Sequence, residues 1–201
     1  MVVAAIMFLP SGHALESGPH AGSASGGLSR TKGAKLDDAR FWSLIDAARS
    51  GAGDDHVFLA RMTAVLGKLA PEELIEYERV FDHLHDSSYT WRLWGAAYLI
   101  GGGCSDDGFE YFRAWLIAQG RRVFERALAN PDSLAEVAPS NEAAESEDFW
   151  YLARQVYAQK TGHEMPRAQG SRPALGEGWN FDDPVQMKRR YPKLWKKLVG
   201  R

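Results

Sequence analysis

From Asp37 onward, apolar side chains recur at spacings of three and four, the period of helices that bury one stripe. Phe41, Trp42, Leu44, Ile45 and Ala48 form a first stripe that stops at Ser50-Gly51. Asp54 or Asp55 is placed to cap a second helix carrying Phe58, Leu59, Met62, Val65, Leu66 and Leu69. Pro71 falls where proline is tolerated, at a first helical position. Glu72 and Glu73 follow it at the positive end of the helix dipole, and the third stripe is Leu74, Tyr77, Phe81 and Leu84.

The pattern then changes. Between Trp91 and Ile100 the single charged residue is Arg92, and apolar side chains surround the whole axis, which predicts a helix buried on most sides. The polar, glycine-rich run Gly101-Gly102-Gly103-Cys104-Ser105-Asp106-Asp107-Gly108 follows it. Asp107 and Glu110 have capping-box spacing, with aspartate in the capping role. Phe109, Phe112, Leu116, Gly120, Val123 and Ala127 stay in one helical phase, so the pattern predicts one long helix with Gly120 on its buried face.

Asn130-Pro131 closes that helix, and Ser133 to Glu147 reads as loop or helix. Phe149, Trp150, Leu152, Ala153, Val156 and Tyr157 predict a further helix ended by Gly162. Residues 163–180 read as a loop punctuated by Pro166, Pro173 and glycines. Asp183-Pro184 starts a short terminal helix that Tyr191-Pro192 interrupts before Leu194, Trp195 and Leu198. No run alternates with a period of two. The expected fold is all-α: a compact single-domain bundle of about five to seven helices around a buried helical hairpin.

The first nine residues are apolar but too short to span a bilayer, and they lack the basic residues that precede a secretory core. Residues 11–36, rich in Gly, Ser, Ala and His, read as linker. The expected organisation is a disordered leader or linker over 1–36, a helical domain over 37–162, and a loop with a basic helical tail over 163–201. No segment reads as a membrane span. At 201 residues, 45% apolar and 25% charged, the composition is that of a globular domain large enough for a real core. The formal charge of -2 gives no global field to recruit nucleic acid or anionic lipid. The lone cysteine, Cys104, excludes an intramolecular disulfide and suits a reducing compartment, so the cytoplasm is the expected location.

Three constellations are candidates for chemistry. The glycine loop offers backbone geometries closed to other residues, and amides of the following helix can face an anion. It lacks the lysine and hydroxyl spacing of a P-loop and carries two aspartates that repel phosphate, so a tight connection between core helices is the plainer reading. Cys104 lies just before a helix start, where a thiol pKa can fall. Ser105 reads as a cap or turn residue. With Arg92 and Arg113, the loop residues Cys104, Ser105, Asp106 and Asp107 make up a candidate ligand site. Arg113 either snorkels to the surface or pairs with Glu110.

The second constellation is Asp82-His83-Leu84-His85-Asp86. Asp82, His85 and Asp86 share one region of a helix and offer oxygen and nitrogen ligands for a divalent metal. A solvated helix end, or an acid that neutralises Arg92, accounts for the same residues. The third is the basic tail, where Lys188, Arg189, Arg190, Lys193, Lys196, Lys197 and Arg201 interleave with Tyr191 and Trp195. It has no recognised nucleic-acid motif and follows an acidic remainder, so a helix docked through Leu194, Trp195 and Leu198 is the plainer account.

The runs Phe41-Trp42-Ser43-Leu44-Ile45-Asp46-Ala47-Ala48, Trp91-Arg92-Leu93-Trp94-Gly95-Ala96-Ala97-Tyr98-Leu99-Ile100, Cys104-Ser105-Asp106-Asp107-Gly108-Phe109 and Phe112-Arg113-Ala114-Trp115-Leu116 resemble a bacterial family widespread in actinobacteria, the domain of unknown function numbered 4240. The resemblance covers about Arg40 to Ala129. It implies a compact cytoplasmic bacterial domain and carries over no catalytic or binding residue and no cofactor. The expected function is a non-catalytic helical module binding a protein partner or small ligand. The rival is an enzyme or metal protein using the 101–110 loop with Asp82 and Asp86, and a third reading is nucleic-acid association through the tail.

Overall fold

A computed structural model describes residues 36–139, 144–166 and 173–200. Every regular element among them is helical: α1 (Asp38–Arg49), α2 (Asp55–Leu66), α3 (Pro71–Ser87), α4 (Trp91–Gly101), α5 (Asp106–Ala118), α6 (Arg121–Ala129), a 3-10 segment (Pro131–Glu136), α7 (Glu147–Thr161), α8 (Pro184–Arg190) and α9 (Pro192–Leu198). Expected linker residues before Leu36 lie outside the described residues. Leu36 itself is fully buried.

Local chemistry sets most of the helix starts. Side-chain oxygens of Asp37, Asp54, Thr90 and Asp183 accept backbone N–H groups of the first turns of α1, α2, α4 and α8. At α3, Pro71 opens the helix and the Ala70 N–H donates to Glu73 Oε2 at 2.9 Å. Helix α7 packs against α2, α3 and α5, while α9 packs on α4 and on the 3-10 segment. Helix α5 lies deepest: every residue from Gly108 to Ala118 is buried except Tyr111. The hairpin of α4 and α5 is thus the buried pair that the pattern predicts. The helices outnumber the expectation because the chain divides where the pattern runs on.

The expected long helix through Gly120 is two helices. Helix α5 ends at Ala118, and Gly120 adopts φ 90°, ψ 165°, a conformation almost confined to glycine, before α6 begins. Apolar phase survives the break because α5 and α6 bury residues toward the same core. Gly120 has no side chain to cap α6, and Asp46 of α1 supplies the acceptor, taking the Arg121 N–H at 3.1 Å. A Cβ on Gly120 would run into that Asp46 carboxylate. Gly120→Ala is therefore expected to lose about 2 kcal/mol, from backbone strain and a displaced cap. A midpoint in urea indistinguishable from wild type would contradict this account.

Candidate functional site

Three polar regions correspond to the three constellations, and they behave differently. The first is sealed. Arg113 is fully buried between α3 and α5, and Glu110 and His85 are buried beside it. Arg113 Nη2 lies 2.6 Å from Glu110 Oε2, and Nη1 donates to the His85 carbonyl at 2.7 Å. Nη1 also lies 3.1 Å from His85 Nδ1. A guanidinium only donates, so Nδ1 accepts and Nε2 carries the ring hydrogen toward the Glu110 carbonyl, 3.0 Å away. The imidazole is stacked between Phe81 and Trp150, at 5.7 and 5.6 Å, and the guanidinium lies over Tyr89 and Phe109. Of the two fates expected for Arg113, pairing with Glu110 is the one observed.

In this arrangement His85 and Asp82 have different surroundings. His85 faces the core, whereas half-buried Asp82 reaches Arg154 Nη2 at 3.4 Å, and Arg154 also pairs with Glu78. The three side chains do not form a cage. Among the described residues, no group of three or more His, Cys, Asp or Glu converges to hold a metal ion. Neither Asp82 nor Asp86 neutralises Arg92, which instead donates from Nη2 to the Ala129 carbonyl at the end of α6, 2.9 Å away.

The second region, the bend, is open, but its polar groups serve the chain. Gly102 ends α4 in the left-handed conformation, φ 67°, and the Gly103 N–H returns to the Tyr98 carbonyl. Ser105, not Asp107, caps α5: its Oγ accepts the Gly108 N–H at 3.1 Å. Asp106 and Asp107 are exposed in the first turn, where their charge suits the dipole. Trp94 Nε1 donates to the Cys104 carbonyl, tying the bend to α4.

Burial, reinforced by the Glu145 charge, pushes the Cys104 thiol up to about 12, the opposite of activation by a helix start. The reacting species is the thiolate, so native Cys104 at pH 8 should alkylate with iodoacetamide at least about a hundredfold more slowly than in denaturant. Equal labelling rates by mass spectrometry would contradict the burial argument.

The third region is the seam between α4 and residues 173–200. Gly95 leaves a gap on α4: a Cβ there would come within 3.0 Å of Trp179 Cζ2 and would also meet the Tyr191 ring and hydroxyl. Trp91 Nε1 donates to the Gly176 carbonyl, the Tyr98 hydroxyl to Asp182, and the Tyr191 hydroxyl to the Arg92 carbonyl at 2.7 Å. Met187, Tyr191 and Leu194 are buried. Asp132 completes the docking by accepting the Lys193 and Leu194 N–H groups at the start of α9. Most basic residues of the tail face outward, although Lys197 Nζ donates to the Ala135 and Ala138 carbonyls. Arg201 lies outside the described residues.

Within this seam is a cavity of about 130 Å³ lined by Arg92, Asn130, Pro131, Trp179, Arg190 and Tyr191. Of the residues expected to form the ligand site, Arg92 is on this cavity, Arg113 is inside the core, and Cys104 to Asp107 are at the bend. Arg190 and Trp179 escape sequence reasoning as partners of Arg92, being remote in the chain.

A family model described as a protein of unknown function, DUF4240, matches residues 36–159. The chain belongs to that family. No curated protein and no solved structure matches it. The DUF4240 match runs from Leu36 into α7, beyond the span marked by the tryptophan-rich motifs. It includes Arg92, the bend and Arg113, whereas Trp179, Arg190 and Tyr191 lie past its end. In this DUF4240 chain, therefore, the seam cavity joins three residues of the family region, Arg92, Asn130 and Pro131, to three that follow it. Among the described residues, no helix is long and apolar enough to cross a membrane.

Proposed function

We propose that the chain is a non-catalytic helical module that binds a small ligand or protein partner at the seam between α4 and the C-terminal segment. The observation that carries the reading is the cavity on which Arg92 meets residues from a separate part of the chain. The polar groups elsewhere support it by their engagement: Arg113, His85 and Glu110 bond to one another, and Ser105 caps α5. Cys104, with its thiol pushed up to about 12, is a poor nucleophile. The reading places the module in the cytoplasm, where a lone cysteine stays reduced.

The test is a titration of the full-length protein, followed by the indole N–H resonances of its tryptophans. Anionic, cationic and neutral small molecules form the panel. At least one class is expected to shift the Trp179 resonance saturably, with the compound recovered unchanged. A panel that leaves the resonance in place, or a compound converted to product, overturns the reading.

A further inference from the structure

We propose that the seam cavity is a binding site for one small oxyanion of the phosphate class, held by Arg92 and Arg190. The proposal deepens the binding-module reading and rests on it. Size narrows the ligand first. A volume of about 130 Å³ has room for roughly four waters at ~30 Å³ each. It is well below the ~300–1,000 Å³ of sites for drug-sized ligands. A single phosphate group fits such a space, whereas a whole nucleotide does not.

Charge narrows it further. Arg92 and Arg190 come from α4 and α8, and among the described residues neither makes an ion pair. No acidic residue lines the cavity. Arg190 is held in place by stacking on Trp179, its guanidinium carbon 4.0 Å from the ring centroid. Arg92 is anchored by one bond to the Ala129 carbonyl, which leaves most of its five N–H donors for a ligand.

The polar inventory is one-sided. Trp179 Nε1 is buried and meets no acceptor among the described residues. A buried N–H without a partner is a costly state that a ligand oxygen relieves. Asn130 Oδ1 already accepts the Asp132 N–H, leaving its amide N–H₂ as donor. The nearby acceptors are engaged as well: the Arg92 carbonyl takes the Tyr191 hydroxyl and the Ala129 carbonyl takes Arg92. Asp132, the acid that follows Asn130 and Pro131, is buried and bonded to the Lys193 and Leu194 amides. Burial raises the Tyr191 phenol far above its ordinary value; the positive charges of Arg190 and Arg92 pull it down and the Asp132 carboxylate pushes it up, so two cations and one acid act on this point of the seam. Two guanidinium groups and two further N–H donors belong to residues lining one small cavity, the kind of donor set that a tetrahedral oxyanion takes.

The experiment titrates full-length protein with inorganic phosphate, sulfate and glycerol phosphate at constant ionic strength, with sodium chloride as control. The Trp179 indole resonance is assigned by its loss in Trp179→Phe. Phosphate is expected to shift it saturably and chloride is not, and Arg92→Gln and Arg190→Gln are each expected to weaken binding about tenfold or more. Tighter binding of glycerol phosphate than of phosphate would mark the site as one for the end group of a small metabolite, and the reverse order would mark it as one for the free ion. The proposal is overturned if phosphate gives no saturable shift, or if both arginine variants, shown folded by their spectra, bind as the wild type does. Should a cationic or neutral compound shift Trp179 where phosphate does not, the oxyanion falls and the binding module stands. If nothing in the panel shifts it, both fall.

Discussion

Arg113→Met is expected to lower the unfolding free energy by about 3–5 kcal/mol, the usual loss when one partner of a buried ion pair is removed. The guanidinium is fully buried and bonds simultaneously to Glu110, the His85 ring and the His85 carbonyl. Methionine fills part of the volume between Tyr89 and Phe109 but donates nothing. The Glu110 carboxylate then stays inside the protein without its cation, and the His85 carbonyl loses a strong donor. For a domain of this size, a loss of that order lowers Tm by on the order of 10 °C.

The double variant Arg113→Met, Glu110→Leu separates the explanations. Removing both charges together is expected to restore at least half of the lost stability, because the largest penalty is the stranded carboxylate. A single variant within about 1 kcal/mol of wild type, or a double variant worse than the single by the full cost of losing Glu110, would contradict the assignment. Denaturant unfolding monitored by tryptophan fluorescence and circular dichroism supplies both numbers. The same variants, where folded, should leave the Trp179 titration unchanged, since Arg113 belongs to the core and not to the seam.

Arg113 also shows what can be read from a chain and what cannot. Its pairing with Glu110 is legible, because three residues on a helix bring two side chains together. Its bond to His85 joins residues 28 apart and has no local sign. Helix starts at Asp54, Pro71 and Asp183 are legible for the same reason as Glu110: their physics is confined to one turn. The break at Gly120 is hidden because hydrophobic phase continues across it, and its acceptor, Asp46, is 75 residues away. At the bend, Asp107 and Ser105 are both good capping residues, and only the path of the chain selects Ser105. The seam is the extreme case. Arg92 stands out as a charge on an apolar helix, while Trp179 and Arg190 announce nothing. Gly95, a glycine within that same apolar helix, is the local sign that another part of the chain approaches closely.

Gly95→Leu turns that sign into a measurement. Substitution at a helix interior ordinarily favours the larger residue, since glycine costs about 1 kcal/mol relative to alanine. On α4 the expected sign is reversed, because the space beside Gly95 is already filled by Trp179 and Tyr191. Overpacking of this kind costs typically about 1–3 kcal/mol, and leucine against two aromatic rings is expected near the upper end, about 3 kcal/mol. The strain has an outlet that a core site lacks: residues 173–200 can leave the surface of α4 while α1 to α7 keep their packing. Limited proteolysis should therefore cut this segment in Gly95→Leu under conditions where wild type resists, with far-UV circular dichroism reduced only slightly. Gly95→Ala should fall between the two, its gain in propensity offset by contact with the Tyr191 hydroxyl. Undocking also removes Trp179 and Arg190 from Arg92, so the Trp179 response to phosphate should disappear with the docking. A Gly95→Leu protein of wild-type Tm and wild-type protease resistance would show that the seam is not held as the close approach at Gly95 requires, and the cavity would lose its walls with it.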